Sequence, residues 1–142
     1  MSSFSPRHAI SRADFFLRLA SECNASQRDE FEAYLEAAVV FGRTAIHRLK
    51  HEYEQHSAWA PWFTALKGNP SIEFFREHRD FTLKEASPKV GQRIEFHPVP
   101  NAADLYFFEP NESPITTVRG HLNATAKLIK KASLLFSPVS TT

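Results

Sequence analysis

The chain has 142 residues, of which 42% are hydrophobic and 23% charged, so it is long enough for one domain and wholesale disorder is excluded. A chain of this size hides about two thirds of the surface it exposes when unfolded, enough for a core without disulfides or a structural metal. With 17 basic and 16 acidic side chains the formal charge is +1, which excludes a uniformly polycationic surface and leaves room for a local basic patch. The single cysteine, Cys23, excludes an internal disulfide and a multi-thiolate zinc site.

Met1 to Arg12 contains no apolar run of the kind a secretory signal needs. The longest apolar run, Ala37 to Phe41, is far below the roughly 20 residues of a membrane span. A soluble, cytoplasmic chain without a membrane partner is expected. Residues 1–10 read as a loose arm, residues 11–136 as a single domain, and residues 137–142 as a polar tail around Pro138.

A first helix is predicted from about Arg12 to Cys23, with Ser11 as N-cap and Asp14 in the first turn, where the helix dipole favours a carboxylate. Phe15, Phe16, Leu19, Ala20 and Cys23 give it one apolar stripe. A second helix of roughly 27 residues and about 40 Å follows, capped by Ser26, with Asp29 and Glu30 in its first turn. Phe31, Tyr34, Leu35, Ala38, Gly42, Ala45, Ile46, Leu49 and Tyr53 fall in one arc at 100° per residue. Between Ala37 and Phe41 that helix is apolar all round, which predicts burial on every side there.

Trp59, Trp62 and Phe63 mark a short helix that ends in a turn at Gly68. Asn69-Pro70 then sets an N-cap and a first-position proline for a helix running to about Ala86. Two short apolar segments, around Ile94 and Phe96 and over Leu105 to Phe108, predict a β-hairpin over about 92–109. Ser113-Pro114 opens a last helix through Phe136, with Ile115, Val118, Leu122, Ile129, Ala132 and Phe136 at helical spacing. The fold class is therefore all-α, an antiparallel helical bundle with one small β excursion.

The informative segment is Phe74 to Glu85. A helical wheel places Arg79 inside the apolar arc between Phe75 and Leu83, with Glu73, Glu77, Asp80 and Lys84 on the other side. A guanidinium there needs an anionic partner, because desolvating an unpaired charge costs several kcal/mol. That partner is either a carboxylate of the chain, such as Glu36, or a ligand oxygen in a cleft, unless the side chain snorkels to the rim.

The Glu-Ala-Ala-Val-Val-Phe-Gly-Arg core (Glu36 to Arg43), the Trp-rich turn and the Phe-Phe-Arg-Glu-His-Arg-Asp-Phe-Thr-Leu-Lys-Glu helix (Phe74 to Glu85) together resemble an uncharacterised bacterial branch of the HEPN superfamily of helical-bundle proteins. The resemblance spans roughly residues 15–85. It implies a HEPN-like bundle, usually dimeric, in a superfamily whose members include metal-independent RNases of toxin–antitoxin and phage-defence systems. Their signature is an Arg followed by a polar residue, with a His a few residues later. Arg79 matches the Arg and Asp80 the polar position, whereas Lys84 stands where the His belongs.

Metal-independent RNA cleavage needs a proton shuttle near neutrality and a cation for the transition-state charge. Arg79 suits the second role. Lysine, with an ordinary pKa near 10.4, is a poor base. The expected site is therefore a phosphate or RNA contact through Arg79, Lys84, Asp80 and Arg43, catalytically weak or inactive, in a homodimer and without a cofactor. A non-catalytic dimerisation or interaction module is the alternative, and an RNase using His78 or Lys84 a further one. His47, His51 and Glu54, at i, i+4 and i+7, have metal-ligand spacing but read as a solvated face beside Arg48 and Lys50, so no metal is expected. On the last helix, Arg119, His121, Lys127, Lys130 and Lys131 read as a solvated basic end or a local RNA-backbone contact. Cys23 reads as a small core residue.

Overall fold

The computed structural model describes residues 5–79, 90–92, 106–108 and 113–136. Among these the chain is all-α: helices α1 (Pro6–Ser21), α2 (Arg28–Tyr53), α3 (Trp59–Thr64), α4 (Pro70–Arg79) and α5 (Pro114–Phe136). Two three-residue strands, β1 (Val90–Gln92) and β2 (Tyr106–Phe108), pair antiparallel with Val90 opposite Phe108. The expected strand around Ile94 and Phe96 lies outside the described residues, as do the tail over 137–142 and the expected continuation of α4 to Ala86.

The first helix starts earlier than its apolar stripe suggests. Ser5, not Ser11, is the N-cap: its Oγ accepts from the His8 N–H at 3.1 Å, and Pro6 takes the first position, where no N–H is needed. Residues 6–10 are thus helix rather than loose arm, and Asp14 lies mid-helix, not in the first turn. The buried stripe is Pro6, Ala9, Ala13, Leu17 and Ala20. Small side chains let α1 lie close along α2, whereas Phe15, expected in the stripe, is 47% exposed.

The 26 residues of α2 span about 39 Å and touch α1, α4 and α5. Ser26 does not cap it. The Asn24 carboxamide oxygen instead accepts from the Ser26 N–H (3.0 Å) and hydroxyl (2.7 Å), and Gln27 occupies the cap position without a side-chain cap bond. Phe31, Leu35, Ala38, Gly42, Ala45 and Leu49 are buried, as the arc predicts, Tyr34, Ile46 and Tyr53 are half-buried, and Val39, outside the arc, is buried too. Burial on every side around Ala37–Phe41 does not hold, because Val40 is 38% exposed.

The turn after α3 closes at Gly68, whose φ of +86° is open to glycine at no steric cost. Asn69 then accepts from the Ser71 and Ile72 N–H groups at 3.0 and 3.2 Å, and Pro70 starts α4. Ser113 likewise accepts from the Thr116 N–H at 3.2 Å ahead of Pro114. The core is continuous in two parts. Phe31, Leu35, Phe75, Leu17, Val118 and Leu122 form one, and Leu49, Trp59, Ile129, Ala132 and Phe136 the other.

Candidate functional site: a basic cleft between α2, α3 and α4

One cleft of about 370 Å³ opens where α2, the α3 turn and α4 meet. Arg43, Ile46, His47 and Lys50 reach it from α2, because these positions recur on one helical face. Phe63, Thr64, Leu66 and Lys67 come from α3 and the turn behind it, and Ile72, Glu73 and Arg76 from the first turns of α4. Three local devices fix this geometry: the Gly68 reversal, the Asn69 cap, and the seating of Phe75 on Gly42, which sets α4 against α2.

Arg43, Lys50, Lys67 and Arg76 place four formal cations on this cleft against one carboxylate, Glu73, which pairs with Arg76. A chain whose total charge is only +1 has concentrated positive charge here. Like charges around a concave, low-dielectric wall raise the local potential, and an anion relieves their repulsion. Arg76 is exposed and Glu73 half-buried, so their pair is solvent-screened, contributes little to stability and leaves the guanidinium open to exchange.

Of the residues expected at the site, Arg43 lines this cleft. His47, His51 and Glu54 are all exposed, as a solvated face requires, and His47 also lines the rim of this cleft. Among the described residues no group of three or more His, Cys, Asp or Glu could hold a metal ion. Arg79 is the last residue of α4, one turn beyond Arg76. The side chains of His78 and Arg79, and all of Asp80 and Lys84, lie outside the described residues. Burial, and then the Glu32 carboxylate one turn earlier, push the Glu36 carboxyl above the ordinary carboxylate range.

The basic end of α5 divides. Arg119 is taken by Asp14 at 2.6 Å. His121 shares a 2.8 Å hydrogen bond with the buried Ser71 hydroxyl and stacks on Phe74 at 4.2 Å, so it ties α5 to α4 instead of offering an RNA contact. Lys127, Lys130 and Lys131 remain exposed, as a solvated end requires. Cys23 is buried, as expected, and burial, then Glu30 and Glu22, raise its thiol pKa.

Sequence reasoning missed Lys50, Lys67, Arg76 and Phe63 as site residues. The available signal was the Arg43, His47, Lys50 spacing, which marks a cationic face on α2. Among the described residues no helix is long and apolar enough to cross a membrane. Comparison of the chain with protein-family models, curated proteins and solved structures finds no match.

Proposed function

We propose that this protein binds the phosphate of a nucleotide or of RNA in the cleft between α2, α3 and α4, without efficient turnover. The observation that carries this reading is the gathering of Arg43, Lys50, Lys67 and Arg76 around one 370 Å³ cleft in a chain of net charge +1. The resemblance to HEPN helical bundles supports it: the signature Arg79 follows Arg76 by one turn of α4. Lys84 in place of the signature His favours binding over cleavage. A HEPN-like fold, a homodimer and a toxin–antitoxin or phage-defence setting belong to the same proposal.

The test is binding at low salt, read by isothermal titration with a nucleotide and by polarisation with a labelled RNA strand. Exposed Lys50 and Lys67 can be changed without disturbing the core, so Lys50→Glu/Lys67→Glu is expected to weaken binding at least about tenfold. Arg76→Ala is expected to weaken it by a similar factor with stability within about 1 kcal/mol of wild type. Total RNA is expected to stay intact with or without EDTA. A wild-type protein that binds neither nucleotide nor RNA at low salt overturns the reading.

A second reading, self-association without a ligand, draws on the exposed Phe15 (47%) and Val40 (38%) beside the half-buried Phe16 and Phe41 rings. Sedimentation of Phe15→Glu against wild type decides it: a monomeric wild type removes it.

A further inference from the structure

The cleft has more hydrocarbon than a bare phosphate needs. Ile46, Phe63, Leu66 and Ile72 share its wall with the cations. A strongly hydrated inorganic anion gains nothing from such a wall, since apolar surroundings offer it no hydrogen bonds. The wall fits a ligand with an apolar, planar part next to its charge.

Phe63 is fixed for that purpose. Its ring stacks on Trp59 at 5.0 Å and 14°, and Trp59 is only 4% exposed, so the pair cannot swing away. Phe63 itself is half-buried and borders the cleft, leaving part of the ring for a guest. A planar base entering there would extend the Trp59–Phe63 stack.

Resting on the phosphate reading above, we infer that the cleft seats one unpaired nucleotide, its phosphate among Lys50, Lys67 and Arg76 and its base against Phe63. Duplex RNA does not meet this requirement, because its bases are already paired and stacked. Stacking on an aromatic face serves any base, so little base preference is expected. A free mononucleotide and a nucleotide of a single strand present the same chemistry.

Trp59 and Trp62 are the only tryptophans and both pack near Phe63, so intrinsic fluorescence reports on a guest there. The full chain is titrated at low salt with adenosine monophosphate, ribose 5-phosphate, a short single-stranded oligoribonucleotide and its duplex. Adenosine monophosphate or the single strand is expected to bind about tenfold or more tightly than ribose 5-phosphate, and whichever is tighter identifies the source. Phe63→Ala is expected to erase that preference, the loss falling on adenosine monophosphate and the single strand. Phe63→Leu repeats the test with most of the packing retained, and thermal melts of both variants report folding.

Equal affinity for adenosine monophosphate and ribose 5-phosphate, a preference that survives in the Phe63 variants, or tighter binding of the duplex overturns the base assignment and leaves the phosphate reading standing. No binding of any of the four overturns both.

Discussion

The ring of Phe75 rests directly on the backbone of Gly42: a β-carbon at that glycine would lie 2.5 to 2.8 Å from three ring carbons. Phe75 is completely buried and cannot yield easily. Alanine normally favours a helix over glycine by about 1 kcal/mol, but here overpacking, typically 1–3 kcal/mol, opposes it. Gly42→Ala is therefore expected to destabilise by up to about 2 kcal/mol in urea melts, and Phe75→Leu in the same chain to recover part of the loss. A stabilised Gly42→Ala variant would show that α4 does not approach α2 this closely.

Asn69 holds two N–H groups of the first turn of α4. Its replacement by alanine is expected to cost about 1 kcal/mol, while Asn69→Asp keeps the acceptor and most of the stability. Ile72, Glu73 and Arg76 sit in the turns that follow, so the alanine variant is also expected to weaken nucleotide binding. Thermal melts and titrations on the same samples separate the two effects.

Glu36 gives the fold a defined pH dependence. Its carboxyl is raised by burial first and by Glu32 second, so the folded state binds its proton more readily than the unfolded chain does. Stability contributed by this group falls as pH rises from the unfolded value, near 4.3, through the folded one. Glu36→Gln is expected to stabilise at pH 7, by less than about 1 kcal/mol for a partly solvated group, and to have no effect at pH 3. Paired melts at the two pH values check the sign.

The Cys23 thiol is 2% exposed and its Sγ donates to the Leu19 carbonyl at 3.5 Å. Burial, then Glu30 and Glu22, disfavour the thiolate, which is the reactive form. Modification by a thiol reagent at pH 8 is expected to be at least about tenfold slower in the folded protein than in denaturant. Equal rates would place the sulfur in solvent.

Helix identity was readable from periodicity, and capping chemistry agreed with it at α4 and α5 though not at α1 and α2. Asn69-Pro70 and Ser113-Pro114 start α4 and α5 where a short polar side chain precedes a proline. The start of α1 was not read, because Ala9 and Ala13 carry its burial and small residues leave no bulky stripe to count. Val40 and Phe15 show the converse, large apolar side chains whose neighbours do not cover them.

The candidate site was readable only in part. Arg43, His47 and Lys50 share a face by spacing alone, but Lys67 and Arg76 join them through the Gly68 reversal and the Phe75–Gly42 contact, which are tertiary facts. His121 was grouped with the basic residues of the last helix, but Ser71, fifty residues away, holds its imidazole.

Completion of the interior waits on α5. Val118 and Leu122 fill one part of the core, Ile129 and Phe136 the other, and Arg119 clasps Asp14 across 105 positions. A nascent polypeptide leaving the ribosome therefore carries α1 and α2 with part of their inner faces uncovered until α5 has been made. Copies that stop short of α5 are left with exposed apolar helix faces, open to aggregation and proteolysis.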